Sequence, residues 1–295
     1  MSKTVVKKGI IPAAGWGTRL FPATKVLKKE FFPIIDQDGR AKPIILAIVE
    51  ELLSAGLEEI AIIIQKSAQP LFENFFKTLP QPELYAKLSP ENRDYCDYLQ
   101  EIGKKITFII QEQQEGYGHA VYCAKDWINN QPFLLSLGDH VYRSETEISC
   151  SKQLVELYQK VEKNVVGLTV ISAEILHKSG VVSGNWQEKN SVLTIKKTWE
   201  KPTREEARSQ LHIETLPENQ FLALFGLYIL SPKIFDYLGQ EIQNNCRYRG
   251  EFQLTTALDQ LCQNDGLIGY VVRGNYFDTG MPEFYRKTLI EFSKF

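Results

Sequence analysis

Residues 9–25, with the sequence GIIPAAGWGTRLFPATK, hold the residue types best suited to binding a phosphate group. The segment contains, in order, Gly15, Gly17, Thr18, Arg19 and Lys25. Glycines let the backbone approach a phosphate closely and present N–H groups to it, while guanidinium and ammonium groups neutralise its charge. The apolar run that precedes the glycines predicts a buried first strand. The segment therefore predicts an anion-binding loop that follows a strand.

The composition narrows the functional classes. The 295 residues are 43% hydrophobic and 24% charged, with a formal net charge of −2, which is typical of a globular protein. This charge gives no support to nucleic-acid binding. No secretory signal or apolar stretch of about 18 residues is recognised, so a cytoplasmic protein without a membrane span is expected. The five cysteines form no C-x-x-C pair, so free thiols are expected rather than a zinc site.

The order of the elements predicts a parallel sheet. Residues 42–56 have apolar side chains at helical spacing, and residues 60–64 form a continuous apolar run of strand length. With the first strand they form the β-loop-α-β unit from which parallel sheets are built. A polar helical excursion is expected at 80–105, one helix at 119–129, and a loop at 275–280.

The loop AAGxGTRxxPxTK resembles the signature of the sugar-phosphate nucleotidyltransferases, enzymes that join a nucleoside triphosphate to a sugar 1-phosphate and release pyrophosphate. It differs from both the Rossmann and the Walker glycine patterns. The resemblance implies that the loop residues bind the nucleotide, namely Ala13, Ala14, Gly15, Gly17 and Thr18.

A second segment, QEQQEGYGHAV, resembles the part of these enzymes that reads uracil or thymine. The resemblance implies that Gln111 and the backbone of Gly116 meet the base edge. An amide both donates and accepts, as a pyrimidine imide requires. Gln113 and Gln114 are alternatives to Gln111.

Two carboxylates resemble the metal ligands of the family. Asp139 follows Leu137-Gly138, and Asp278 lies in YFDTG. The resemblance implies that they hold Mg²⁺ against triphosphate oxygens, since carboxylates are the hard ligands that this ion prefers.

The WEKP segment resembles the family element whose glutamate contacts sugar hydroxyls and whose lysine binds the sugar phosphate. These residues are Glu200 and Lys201, and Gly180 matches a glycine that lies against the hexose. The chain departs from the family pattern at Thr256, where aspartate is frequent, at His140 and at the bulky Trp16.

The matches look closest to the bacterial branch that uses UTP and glucose 1-phosphate, with the longer segment DQDGRAKPI indicating a divergent subgroup. The resemblance assigns Lys25 to the α-phosphate, Arg19 to the departing pyrophosphate and Lys201 to the sugar phosphate. Two alternatives remain open. One is an enzyme that uses dTTP or GTP with a different sugar, and the other is a non-catalytic nucleotide-sugar-binding subunit.

The expected fold is a Rossmann-like α/β fold of three layers, with a mixed, mostly parallel central sheet and a smaller sugar-binding lobe. One domain is expected over residues 1–295, with a nucleotide-binding half at 1–140 and a sugar-binding half with C-terminal helices at 141–295. Ligands of open α/β sheets bind beyond the carboxyl ends of the strands. A homo-oligomer is expected.

Overall fold

The computed structural model describes residues 5–294. Its strands are β1 Lys8–Pro12, β2 Pro33–Ile35, β3 Ala41–Pro43, β4 Glu59–Ile64, β5 Ile106–Ile110, β6 Phe133–Ser136, β7 His140–Ser144, β8 Asn164–Ser172, β9 Gly180–Glu188, β10 Val192–Glu200, β11 Gln220–Leu230, β12 Leu267–Val271 and β13 Gly274–Asp278. Its helices are α1 Ile44–Ser54, α2 Gln69–Lys77, α3 Pro82–Lys87, α4 Pro90–Lys104, α5 Tyr117–Tyr122, α6 Lys125–Ile128, α7 Cys150–Val161, α8 Arg204–Gln210, α9 Ile234–Gln243, α10 Leu254–Asp265 and α11 Pro282–Glu291.

A nine-stranded sheet in the order β5-β4-β1-β6-β11-β8-β12-β10-β9 forms the centre of the molecule. The strands β5, β4, β1 and β6 pair in parallel, as do β12 and β8, whereas β11 and β10 are antiparallel to their neighbours. The predicted mixed, mostly parallel sheet is therefore confirmed, with its antiparallel strands late in the chain.

Alternate residues of each central strand enter two different cores. Along β4, Ile60, Ile62 and Ile64 pack into the core that contains α1, whereas Ala61 and Ile63 pack into the core that contains α5 and α10. Successive side chains of a strand point to opposite faces of the sheet, so the sheet lies between two helical layers. This arrangement explains why the sequence of β4 reads as a continuous apolar run.

A smaller third core lies at one end of the sheet, where β8, β9 and β11 extend past their neighbours. It is formed by Ile171, Val181 and Phe221 together with Ala207 and Leu211 from α8 and the turn that follows it. This small lobe carries Gly180 at its edge.

The structure confirms some local predictions and corrects others. The polar excursion is helical, since it contains α3 and α4. The single helix expected at 119–129 is wrong, because the chain forms two short helices there. The loop expected at 275–280 is also wrong, because β13 pairs antiparallel with β7.

Within residues 5–294, no helix is both long enough and apolar enough to cross a membrane.

Candidate active site

Two adjoining cavities lie beyond the carboxyl ends of the parallel strands. The first, of about 480 Å³, is the glycine-loop cavity, and its walls include Ala14, Gly15, Trp16, Thr18, Lys29, Glu30, Gln111, Gly116 and Asp139. The second, of about 550 Å³, is the Gly180 cavity, and its walls include Gly180, Glu200, Leu224, Tyr228, Thr255 and Asp278. Tyr117 and Leu137 line both cavities. The two cavities therefore meet at these residues.

The backbone of β1 positions the glycine loop (residues 13–28). The N–H of Ala13 donates to Ile63 O at 2.7 Å, which holds the start of the loop against β4. Gly17 has φ +67°, a value that side chains other than glycine rarely tolerate. Thr24 Oγ1 donates to Gly17 O at 3.0 Å. The loop is thus folded back on itself above the first cavity.

Gln111 also lines the glycine-loop cavity. Its side chain is buried, and its Nε2 donates to Gly116 O at 3.3 Å and lies 3.0 Å from His119 Nδ1. Gln114 Nε2 donates to Gln111 O at 2.9 Å, whereas Gln113 is exposed. Of the three glutamines named from the sequence, Gln111 is therefore the buried one.

Asp139 and Asp278 are brought together although they are far apart in the sequence. Asp278 pairs with His140 across β13 and β7, and both the N–H and the hydroxyl of Thr279 donate to Asp139 O at 2.8 Å. A Cβ atom placed on Gly280 would lie 3.0 Å from Asp139 Oδ2 and 3.1 Å from Asp278 Oδ1. The two side chains, called here the carboxylate pair, converge where the cavities meet.

Lys29 was named from the sequence only as part of a cluster of basic residues, without a role in the site, and it lies next to the carboxylate pair. Lys29 Nζ donates to Asp139 Oδ2 at 2.7 Å, and its side chain is 17% exposed. The only signal in the sequence is its place in the lysine pair 28–29, directly before Glu30 and an apolar run. That pattern does not distinguish a buried lysine from a solvated one.

Burial and charge shift the pKa values of this group strongly. Burial alone would raise the pKa of Asp139, but the positive charges of Lys29, His140 and Arg19 hold it well below its usual range. Burial opposes the charge of Lys29, yet Asp139 and Glu30 raise its pKa above the ordinary value. Burial raises the pKa of Glu30 to about 7. Lys29 and Asp139 therefore form a charged pair beside a carboxyl group that is easily protonated.

The Gly180 cavity contains the residues assigned to the sugar. Gly180 pairs with Glu200 across β9 and β10. Thr255 Oγ1 donates to Glu200 Oε2 at 2.7 Å, and Lys201 Nζ lies 3.1 Å from Glu200 Oε1. These contacts fix the Glu200 carboxylate at the cavity wall. Lys201 is next to it but is not among the residues that line the cavity.

Arg19 and Lys25 lie on the outer part of the glycine loop. Both side chains are exposed, and neither residue is among those that line the two cavities. Arg19 is close enough for its charge to lower the pKa of Asp139. The structure does not bring Lys25 to the carboxylate pair, so its assignment to a phosphate stays a prediction.

The carboxylate pair fits a divalent cation that takes few protein ligands. Its converging oxygens are hard donors, and no group of three or more metal-ligating side chains occurs in the part of the chain that the structure describes. Mg²⁺ is commonly bound through one or two carboxylates, with water and substrate phosphates completing its shell. The donor set suits this ion better than a cation that needs a complete protein cage.

Two staphylococcal uridylyltransferases are similar to this chain over nearly its whole length. UTP–glucose-1-phosphate uridylyltransferase 1 of Staphylococcus saprophyticus is 36% identical over 294 residues, which are 98% of this chain and 93% of the relative. A uridylyltransferase of the same name from Staphylococcus epidermidis is 36% identical over 295 residues, covering 98% of this chain and 92% of the relative.

Solved structures agree with this similarity. A UDP-glucose pyrophosphorylase complexed with UDP-glucose superposes with a TM-score of 0.78 and 32% identity, covering 97% of this chain and 98% of that one. A UTP-bound UGPase from Acinetobacter baumannii superposes with a TM-score of 0.77 and 26% identity, covering 98% of this chain and 93% of that one. The model of the family described as Nucleotidyl transferase matches residues 8–291. With this match over nearly its full length, the chain belongs to the nucleotidyl transferase family.

Proposed function

We propose that this protein transfers the uridylyl group of UTP to glucose 1-phosphate, forming UDP-glucose and pyrophosphate. The observation that carries the proposal is the pair of adjoining cavities with one member of the carboxylate pair on the wall of each. Asp139 lines the glycine-loop cavity, and Asp278 lines the Gly180 cavity. This arrangement supports a reaction between two ligands whose phosphates meet at one point. The names of the relatives and of the superposed structures support the same reaction.

The reaction joins two phosphates without a covalent enzyme intermediate. An oxygen of the sugar phosphate attacks the α-phosphorus of UTP, and the bond from that phosphorus to the bridging oxygen breaks. Pyrophosphate leaves with the electron pair. The sugar phosphate is already an anion at neutral pH, so the attack needs no general base. Catalysis then consists of alignment and stabilisation of charge.

Lys29 is the cation best placed to stabilise charge at the α-phosphate. It is largely buried and lies 2.7 Å from Asp139 Oδ2, and a positive charge acts more strongly in a site from which water is excluded. Arg19 and Lys25 lie on the exposed part of the loop. Arg19 is proposed to bind the departing pyrophosphate, and Lys25 is proposed to contact the α-phosphate from the side of the loop. The proposed role of Lys201, beside Glu200, is to bind the sugar phosphate.

The groups proposed to recognise the base and the sugar line different cavities. Gln111 is proposed to read the imide edge of uracil together with the backbone of Gly116. Glu200, held by Thr255, is proposed to accept hydrogen bonds from hydroxyls of the hexose, and Gly180 is proposed to let the sugar approach the backbone. Each of these groups is already held in place by contacts within the protein.

We propose that Asp139 and Asp278 hold Mg²⁺. When bound, Mg²⁺ neutralises phosphate charge and acts as a Lewis acid towards phosphoryl oxygens. The pairing of β7 with β13 and the hydrogen bond from Thr279 support this proposal, because they hold the two carboxylates close together.

Measurement of pyrophosphate release tests the proposed function. The purified protein is assayed with UTP, dTTP, CTP and GTP, each with glucose 1-phosphate and with a second hexose 1-phosphate, in the presence of Mg²⁺. We expect UTP with glucose 1-phosphate to give the highest kcat/KM. Higher kcat/KM with dTTP or GTP would identify the alternative enzyme. Nucleotide-sugar binding without pyrophosphate release from any pair would identify a non-catalytic subunit.

A homo-oligomer and a cytoplasmic location remain proposals, which sedimentation analysis and cell fractionation test directly.

A further inference from the structure

His119 lines neither cavity but lies against the buried Gln111. It is part of α5, which begins directly after Gly116. Its Nδ1 atom lies 3.0 Å from Gln111 Nε2 and 3.1 Å from Gln113 O. Its side chain is 17% exposed, so these contacts are shielded from most of the solvent. The neighbours of Nδ1 therefore decide which hydrogen bond the imidazole forms.

The neighbours of Gln111 determine which way its side-chain amide is turned. The carbonyl oxygen of Gly116 can only accept a hydrogen bond, and it lies 3.3 Å from the Gln111 amide. The amide nitrogen must be on this side, because the amide oxygen would place two acceptors against each other. The second hydrogen of the same nitrogen then points to His119 Nδ1. Both hydrogens of Gln111 Nε2 are thus used within the protein.

This orientation of the amide selects one tautomer of His119. Nδ1 cannot both accept from Gln111 and donate to Gln113 O, since one ring nitrogen of a neutral imidazole carries either a lone pair or a proton. Acceptance from Gln111 places the ring proton on Nε2, and the Glu115 carboxylate lies 3.7 Å from that atom. A carboxylate on the side of the proton favours this tautomer. The contacts on both sides of the ring therefore agree on a His119 that accepts at Nδ1.

The oxygen of the Gln111 amide is left for a ligand. Within the described range 5–294, no residue donates to Gln111 Oε1, and this oxygen is not among the side-chain atoms that are wholly buried without a partner. It therefore keeps accessible surface, and Gln111 lines the glycine-loop cavity. A ligand in that cavity meets the acceptor of the amide and neither of its donors.

We propose that His119 is a positioning residue for base recognition, which accepts a hydrogen bond from Gln111 Nε2 and so turns Gln111 Oε1 towards the nucleotide. The inference rests on the proposed function, because it takes the glycine-loop cavity as the site of uracil. The imide N–H of uracil can donate to Oε1, whereas the corresponding ring nitrogen of cytosine is itself an acceptor. His119 thereby converts an amide that could bind either base into a group that only accepts.

Removal of the acceptor at His119 frees the amide to rotate. Only the longer contact with Gly116 O then opposes a half turn of the Gln111 side chain. A rotated amide presents Nε2 to the cavity and can donate to the ring nitrogen of cytosine. The choice between UTP and CTP should therefore weaken, while binding of the triphosphate and of the sugar should not change.

Three substitutions of His119 test this role, each assayed with UTP and with CTP at saturating glucose 1-phosphate. We expect His119→Phe, which keeps a ring without an acceptor, to lower the ratio of kcat/KM for UTP to that for CTP roughly 3- to 10-fold, the range for one neutral hydrogen bond. His119→Asn should keep this ratio within about twofold, because its Oδ1 is as many bonds from Cβ as histidine Nδ1. His119→Gln places its oxygen further out and should behave as His119→Phe.

The variant Gln111→Ala shows whether His119 acts through Gln111. Combined with Gln111→Ala, His119→Phe should leave the remaining ratio for UTP and CTP unchanged, since no amide is left to be positioned. His212 lines neither cavity and provides the matched control, because His212→Phe should leave the wild-type ratio unchanged. In all these proteins dTTP should follow UTP, since thymine carries the same imide.

The ratio of the two nucleotides distinguishes a positioning role from a structural one. Equal losses of kcat/KM for UTP and CTP in His119→Phe would mean that His119 only supports the fold, and they overturn the proposal. A loss of the ratio in His119→Asn as large as in His119→Gln also overturns it, and this comparison decides the question even where His119→Phe does not fold. A further fall of the ratio in the double variant has the same consequence.

Wild-type activity separates the two levels of inference. Absence of turnover with UTP and glucose 1-phosphate overturns both the proposed function and this role of His119. Turnover by the wild type together with an unchanged ratio in His119→Phe overturns the role of His119 alone.

Discussion

The positive charges of the glycine loop and the charges at the carboxylate pair differ in their exposure to solvent. On the loop, Arg19 and Lys25 are exposed. At the carboxylate pair, the main-chain oxygen of Asp139 accepts hydrogen bonds from the N–H and the hydroxyl of Thr279, and its carboxylate is paired with the largely buried Lys29. The interaction of an exposed charge with a phosphate is weakened by water, and the charge must lose its hydration to make the contact. A buried charge is already desolvated, so its interaction with a phosphate is stronger. The comparison predicts that burial, more than membership of the glycine motif, determines which lysine acts most strongly.

Removal of the carboxylates should have the largest effect. We expect Asp139→Asn and Asp278→Asn each to lower kcat on the order of 10³-fold at fixed Mg²⁺ and to raise the Mg²⁺ concentration needed for half-maximal activity. The double variant should lose far less than the product of the two factors, because both changes remove the same ion. Titration of Mg²⁺ against activity measures this.

A carboxylate outside both cavities serves as the control for this series. Asp265 forms an ion pair with Lys233 and lines neither of the two cavities, so Asp265→Asn should leave both kcat and the Mg²⁺ dependence unchanged. Strictly multiplicative losses in the double variant, with an unchanged Mg²⁺ requirement, would mean that Asp139 and Asp278 act separately.

The next largest effect is expected at Lys29, and Lys25, four residues earlier, serves as the comparison. We expect Lys29→Met to lower kcat on the order of 10²-fold, because it removes a buried positive charge. Lys25→Met removes an exposed charge and should lower kcat less than about tenfold. Steady-state kinetics of the two variants under the same conditions decides between them. Equal losses would show that the glycine loop closes on the nucleotide and that Lys25 is buried in the working enzyme.

These two lysines also illustrate the limit of prediction from the sequence. The motif located the loop at the end of β1, and the spacing of apolar residues correctly indicated α1 and β4. Burial of Lys29 could not be predicted, because it depends on contact with Asp139, 110 residues later. Lys25, which stands in the motif, is exposed. Lys29, to which the motif assigns no role, is the largely buried lysine.

The carboxylate pair shows the same limit at the level of the backbone. Short motifs identify Asp139 and Asp278 in the sequence. The sequence patterns predict a loop over residues 275–280, where β13 lies, and indicate no strand at the position of β7. Each strand has only five residues, and each is stable because it pairs with the other across a long stretch of sequence. Local patterns contain no information about such a partner. The convergence of the two side chains therefore required the structure.

A smaller effect is expected at the base. If Gln111 reads the imide edge, UTP and dTTP should be preferred to CTP on the order of 10²-fold, because the 4-amino group of cytosine reverses one donor–acceptor relation. Gln111→Ala should reduce this preference to less than about tenfold. Gln113→Ala, at an exposed neighbour, should leave it intact. Competition between UTP and CTP in one assay measures the ratio, and equal use of the two by the wild type would contradict the assignment.

The last effect concerns stability, not activity, on the buried side of the comparison. Glu30 lies next to Lys29, its carboxylate oxygens are buried, and no described residue forms a hydrogen bond with them. Burial raises its pKa from 4.5 to about 7. Between these two values the folded protein keeps a proton that the unfolded chain releases, so the free energy of unfolding falls as the pH rises. The loss begins near the lower value and is complete above the higher one.

The variant Glu30→Gln isolates this contribution. The free energy of unfolding of the wild type should fall by at most about 3 kcal/mol between pH 4.5 and pH 8 because of Glu30. The variant should not show this contribution. Urea unfolding of both proteins across this range gives the difference between their free energies of unfolding, in which the other titrating groups cancel. Glu91, an exposed glutamate, provides the matched control, since Glu91→Gln should run parallel to the wild type. A constant difference between the wild type and Glu30→Gln from pH 4.5 to pH 8 would mean that Glu30 titrates normally. The charge beside Lys29 would then resemble the solvated charges of the glycine loop, and the contrast between the two regions would be weaker than the structure indicates.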